Sequence, residues 1–521
     1  MLTRRTFLGS SAAVATRLFG MPGASKTPSP ELEKLGAAAL REARKLKASY
    51  CDIRINRYHD QDIFLRATPE PGTGRTLEVP SVSDSGSFGF GVRVIVGGAW
   101  GFAASPVVTQ EEIARITREA VGVAKANATL RAKPVILAPV KAYRDRWTSP
   151  FEKNPFDVPV QEKIELLRAS AAEIKKEKRV FSASGMMSFA SQDKYFASSE
   201  GSSIQQVILH TMAGLSAGAR DFQRNLFRNR GYQPQILQTG WEYVPTLNLQ
   251  ENARQIREEV LEHLAATPVA PGRKDLVLMP SHLCLTIHES IGHSTELDRA
   301  LGYEANFAGT SFLTTDKMGR ERIGSDIVTV WGDRTTERGL STCGYDDDGV
   351  KTTKFAIIDK GIFQHYQTTR EQAHLVGEKE SRGCSFADSW SSVPFQRMPN
   401  VWLEPGPDNL TLEDLIAGVD DGVLIEGTGS FSIDQQRYNF QFGGDAFWEI
   451  KGGKKRGMLS RVAYQSKTTE FWQACDGIAG RAYWRQYGLN GDGKGEPMQS
   501  NSMSHGCAPA RFRRINVLLT D

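Results

Sequence analysis

Several things this 521-residue chain does not contain narrow its class before any motif is read. No apolar run beyond the N-terminus is long enough to cross a bilayer, so no membrane span is expected. There is no basic surplus to speak of, with 64 Lys and Arg against 60 Asp and Glu and no basic stripe. A chain that gripped nucleic-acid phosphates would show one, so no nucleic acid is expected as a partner. Cysteine is scarce: Cys51, Cys284, Cys343, Cys384, Cys475 and Cys507 are spread singly, with no C-x-x-C pair. That excludes a dense disulfide framework, and the six read as buried thiols. No repeat of fixed period and no low-complexity segment appears.

What is present describes a globular protein, 40% hydrophobic and 24% charged, too long for a single ordinary core. Its first residues, "MLTRRTFLGSSAAVATRLFGMPGA", pair Arg4 with Arg5 ahead of Phe7 and Leu8. A short apolar stretch ending in small residues follows. This is the pattern of a bacterial twin-arginine export signal over residues 1–24, cut near Ala24. Its removal takes away three arginines and no acid, so the formal net charge of +4 falls to +1. The expected location is the periplasm or the medium, the cytoplasm being the alternative. Because that route carries folded proteins, a metal could be loaded before export.

After the signal, "PELEKLGAAALREARKLKAS" has the apolar spacing of an amphipathic helix. "YCDIRINRYHDQDIFLRA" and "SGSFGFGVRVIVGGAWGFAAS" alternate as strands do. Helices are expected at "TQEEIARITREAVGVAKANA" and "VQEKIELLRASAAEIKKE", with further strands to about residue 235. A second region opens with the helix "LQENARQIREEVLEHLAAT" and the strand "KDLVLMP"; beyond residue 325, short strands alternate with turns such as "YDDDG" and "EPGPDN". The expected fold is α+β in two domains, 25–238 and 239–521, the second mostly β.

The stretch that carries chemistry is "LVLMPSHLCLTIHESIGHSTELDRALG", residues 276–302. His288 and Glu289 are followed by His293, five residues after His288, whereas the familiar H-E-x-x-H motif spaces its histidines by four. On a regular helix, positions five apart lie roughly 140° apart around the axis, and two such imidazoles cannot share a metal. A local π-type turn would bring them onto one face, and such turns cluster at functional sites. Gly292 is placed to permit it, and Ser281 is placed to cap the preceding helix. On this reading His288 and His293 are metal ligands on a distorted helix, and Glu289 is the general base acting on metal-bound water.

Taken together, "HESIGH", "YDDDG", "QRMPN", "EPGPDNLTLEDLIAGVDDGVLIEGTGSFS" and "FWQACDGIAG" resemble the TldD/PmbA family of metalloproteases, in order and across the chain after the signal. The resemblance implies a dimer, either a homodimer or a heterodimer with a paralogue, and hydrolysis of flexible or unfolded peptides. It also implies a zinc held by the two motif histidines and a cysteine near the C-terminus. Active subunits carry H-E-x-x-x-H, as this chain does. At the cysteine's place, in the family's Cys-Gly-Lys-Gly stretch, this chain reads "NGDGKGEPMQ", which puts Asp492 there. Two histidines and a carboxylate form an accepted catalytic zinc set, and the same set suits non-haem iron. His505 and Cys507 in "SHGCAP" are the alternative third ligands.

"GLNGDGKG" comes close to a phosphate-binding loop, but Gly495 stands where the Mg-binding hydroxyl belongs, and that reading is rejected. "YDDDG" lacks the spaced ligands of a calcium loop and reads as a hairpin turn. Glu296 and Asp298 are placed to orient the histidines. The leading function is a zinc-dependent peptidase, and the alternative is a non-catalytic metal-binding or partner subunit. An iron-dependent oxidoreductase is disfavoured because Glu289 has an obvious role only in hydrolysis.

Overall fold

The computed structural model describes residues 26–520 apart from Pro71 and Gly74; the twin-arginine segment lies outside them. The first half is organised by unusually long strands, Tyr50–Pro69, Thr76–Val96, Val180–Ser198 and Ser203–Asp221. They belong to an eight-stranded sheet in the order Ala99–Ser105, Thr76–Val96, Tyr50–Pro69, Val180–Ser198, Ser203–Asp221, Arg144–Thr148, with Leu226–Tyr232 and Leu237–Gln238 also pairing to Ser203–Asp221. At about 3.3 Å per residue, a strand of 20 residues is too long for one core to cover. The sheet therefore carries two.

One end packs Ile53, Ile55, Phe90 and Val92 under the helices Pro30–Lys45 and Gln110–Ala128. The other packs Ile63, Leu65, Met187 and Phe189 under Val160–Ile174 and Leu249–Ala265. The last helix is a correction to the sequence reading, which placed it at the opening of the second region. Its apolar face, Leu249, Ala253, Ile256, Val260 and Leu264, is buried in the first half's core. The α+β class holds.

The second half is built on a ten-stranded and a six-stranded sheet. In the larger, Gly272–Leu278 lies parallel to Asp421–Glu426 and antiparallel to Ala510–Leu519. In the smaller, Asn400–Leu403 pairs with Gln499–Cys507, which pairs in turn with Arg485–Lys494. One hydrophobic core runs through this half, taking in Leu276, Ile287, Ile291, Val401, Trp472 and Phe512. All six cysteines are buried free thiols. Among the described residues no helix is long and apolar enough to cross a membrane.

"YDDDG" does form a turn, closed by a bridge between Tyr345 and Lys351, but a buried one. Asp347 pairs with Lys194 at 2.6 Å, and Asp348 with Arg93 at 2.8 Å, while Arg93 also holds Asp52. Buried charges persist only when paired, and these pairs tie the turn to the long-stranded sheet.

Candidate metal centre

The strand Gly272–Leu278 runs directly into the helix Pro280–Ile287, with Pro280 in the first turn and Met279 at the cap. Ser281 does not cap this helix, as the sequence suggested. Proline begins the helix one residue early, and the Ser281 hydroxyl instead accepts the Gly427 N–H at 3.0 Å. The helix is buried on every side, and its His282 is structural. His282 bonds Gly427 O and the Tyr464 hydroxyl, both at 2.9 Å, and burial lowers its pKa to about 4.

From His288 to Gly292 the chain makes a π-turn, closed by the His293 N–H donating to the His288 carbonyl. This is the distortion that the spacing of five demands. It brings the two imidazoles together, with ring centroids 4.4 Å apart. Gly292 is needed for packing: a Cβ there would come within 2.6 Å of the sulfur of buried Met398.

Asp492 arrives from the strand Arg485–Lys494, whose register slips between Leu489 and Asp492, with Gly491 in the left-handed region at φ 88°. Such a bulge redirects the side chain that follows it. Its Oδ1 lies 3.6 Å from His288 Nε2 and 3.4 Å from His293 Nε2. Donors on a tetrahedral zinc with bonds of about 2.05 Å stand about 3.3 Å apart. All three donors lie within 4.8 Å of one another, so the residues fit a three-ligand ion.

The far side of each ligand is also engaged. His505 Nδ1 faces the Val401 carbonyl at 3.1 Å, and a carbonyl only accepts, so the proton of neutral His505 sits on Nδ1. Burial and His288 hold the His505 pKa well below its ordinary value, which keeps it neutral. Its Nε2 is then an acceptor, 2.9 Å from His288 Nδ1, and His288 must donate there. That leaves the lone pair of His288 on Nε2, facing Asp492. Glu296 does the same for His293, at 2.9 Å from its Nδ1. Arg397 holds Asp492 Oδ2 at 2.8 Å. Burial opposes ionisation of Asp492, but His293 and His288 outweigh it and hold the carboxyl well below the usual range.

Behind these lies fully buried Lys494, 3.0 Å from Glu296 and 2.7 Å from Asp298. Burial alone would raise Glu296, but Lys494 and Arg299 reverse this and lower its pKa well below the ordinary value. Glu289 is 5% exposed and accepts from Arg437 at 2.8 Å. With His293 and Asp492 it lines a cavity of about 310 Å³. A larger cavity, of about 1280 Å³, lies beyond Lys494 among Trp100, Asp298, Phe395 and Glu496, and touches none of the three donors. Of the two, the smaller is the one that reaches the donors.

Of the alternative ligands, His505 stands behind His288, and the Cys507 thiol points to Pro280 O. The sequence reading missed the roles of Arg299, Arg397, Arg437 and Lys494. Lys494 lies inside the rejected "GDGKG", and Arg397 inside "QRMPN". Neither stretch reveals a partner about a hundred residues away or more. If His505 fixes the His288 tautomer, His505→Phe should weaken zinc binding about 10–100-fold with all three donors intact. Competition against a chelating dye reads this, and unchanged affinity would remove the role.

Three family profiles match the chain in order: PmbA/TldA metallopeptidase domain 1 over residues 74–124, the central domain over 153–262 and the C-terminal domain over 271–518. The chain belongs to the PmbA/TldA metallopeptidase family. A metalloprotease of Methanocaldococcus jannaschii is 29% identical over 434 residues, which cover 82% of this chain and 89% of the relative. A zinc metalloprotease TldD homolog of Saccharolobus solfataricus is 21% identical, covering 92% and 98%. The crystal structure of a proposed modulator of a DNA gyrase from Thermotoga maritima aligns at TM-score 0.72 with 16% identity, covering 93% and 100%. At that identity the likeness is one of fold. Within this PmbA/TldA member, the C-terminal profile spans both the π-turn and the strand of Asp492.

Proposed function

We propose that this chain is a metal-dependent peptidase acting on flexible or unfolded peptides, with zinc as its metal and iron as the other ion its donor set admits. One observation carries the reading: Glu289 lines the same cavity as His293 and Asp492, one residue along the π-turn from His288. His288, His293 and Asp492 would hold the ion, and a bound zinc supplies Lewis acidity toward the peptide carbonyl and toward water. Glu289 takes a proton from the attacking water and returns it to the leaving nitrogen, so that one C–N bond is exchanged for a C–O bond and a free amine. His505, Glu296 and Arg397 hold the three donor groups in place throughout. A chamber of about 310 Å³ admits a few residues of extended chain, not a folded domain, which supports a flexible substrate.

The test uses the purified full-length chain: elemental analysis beside mass-spectrometric detection of cleavage of an unstructured peptide. One zinc per chain, turnover abolished by chelation and restored by zinc, is the expected result. Stoichiometric zinc with no cleavage would instead identify a non-catalytic metal-binding subunit.

A further inference from the structure

Two guanidinium groups line the metal cavity, and they are not equivalent. Arg299 is 1% exposed and spends its donors on Glu296 and Ala308 O. Arg437 approaches from the turn between the strands Phe431–Ile433 and Asn439–Phe442. Its Nη1 donates to Glu289 at 2.8 Å and its Nη2 to Ala308 O at 3.0 Å, while its buried Nε has no partner. Eight non-glycine residues have positive φ among those described, and Arg437, at 64°, is the one of them that lines this cavity. That conformation is costly for a residue with a Cβ, and the fold enforces it. The Asp434 carboxylate is spent on the backbone N–H groups of Tyr438 and Asn439, the Arg437 N–H donates to Asp434 O at 3.0 Å, and the Thr468 hydroxyl donates to Arg437 O at 2.7 Å. A turn held in this way fixes where its side chain begins.

The position of the guanidinium relates it to the substrate. A general base that returns its proton to the leaving nitrogen must sit beside that nitrogen. A group hydrogen-bonded to Glu289 on the cavity side therefore faces the residue that departs. In a C-terminal residue the carboxylate carbon stands about 2.5 Å from its own nitrogen, so the acid group falls within reach of Arg437. Arginine presents the planar fork that binds carboxylates bidentately, and the bonds to Glu289 and Ala308 O leave a second N–H on each Nη unspent.

We infer that Arg437 is a specificity residue that binds a carboxylate on the leaving residue of the substrate, and that this carboxylate draws Arg437 from Glu289 and frees the base. The acid is either the substrate's own C-terminus, which would make the enzyme trim chains from that end, or an Asp or Glu side chain. The inference rests on the peptidase reading for its purpose, but not for its test.

Equilibrium binding to full-length protein after chelation, where no hydrolysis intervenes, uses peptide pairs differing only as C-terminal acid and amide. A second set of amidated peptides carries Glu or Gln at the last residue. The wild type should bind the carboxylate member of a pair about 10-fold tighter, and Arg437→Gln should remove the difference. Arg437→Gly, which suits the positive φ and so keeps the turn, should do the same. The first set reports a C-terminal acid, the second a side chain. Equal affinities in both sets for the wild type, absence of binding included, overturn the inference, as does discrimination that survives both substitutions. Turnover of the same pairs by the protein as purified separates the two readings: discrimination in binding without cleavage would retain the carboxylate subsite and remove the peptidase.

Discussion

The Glu289→Gln variant is expected to keep one metal per chain and to lose about a thousandfold in peptide turnover, within the roughly 10²–10⁴-fold range of a positioned general base. The substitution keeps the shape and leaves an acceptor for Arg437, so the π-turn and both imidazoles stay in place. What it removes is the ability to take a proton. The loss should fall on kcat, because no ligand atom changes and glutamine keeps the size of the side chain it replaces. Elemental analysis and steady-state kinetics on the same preparation decide the matter. Turnover near that of the wild type, with metal bound, would take the role of base away from Glu289.

The bond from Arg437 bears on that result. Arg437 donates to Glu289 at 2.8 Å, so that carboxylate oxygen is occupied when a water would need it. In the resting chain Glu289 is therefore engaged, and on the peptidase reading turnover requires the pair to loosen. If a substrate carboxylate supplies the competing partner, restraint becomes selection. Peptides that lack the acid would bind less tightly and leave the base engaged.

How much of this was legible in the sequence follows from the range of each argument. The π-turn could be read because angular arithmetic on a spacing of five leaves a regular helix no way to present both imidazoles to one point. Asp492 could be placed only through family resemblance, since nothing local to "NGDGKG" points toward a helix about two hundred residues earlier. The helix Leu249–Ala265 shows the converse limit. Its periodicity declares that one face is buried, but not against which sheet, and it was assigned to the wrong half. Ser281 was misread because a hydroxyl near a helix start is also free to bond elsewhere, and Pro280 had already begun the helix. His505, Arg397 and Lys494 work through partners distant in sequence, and a single chain carries no trace of such pairings before it folds. Arg437 differs again: its role depends on a left-handed backbone at a position where the sequence shows only "DQQRYN".

The Asp492→Ala variant should lose metal and activity together, because it removes the one anionic donor of the three. The remaining imidazoles offer two neutral ligands, whereas a catalytic zinc takes three from the protein. Zinc affinity should fall by more than the about 10–100-fold that an outer partner is worth. The loss has a second source, since Arg397, fully buried and 2.8 Å from Asp492 Oδ2, would be left facing the site as an unpaired cation. Asp492→Cys separates the two effects. A thiolate restores an anionic donor at the end of the same bulged strand and recreates the ligand that the family resemblance implies, so zinc should return and iron should not, sulfur being the softer ligand. Zinc and iron content measured on wild type, Asp492→Ala and Asp492→Cys give three distinguishable patterns. Full metal in Asp492→Ala, with loss in Cys507→Ala, would move the third ligand to Cys507, although that thiol points to Pro280 O and away from the two imidazoles.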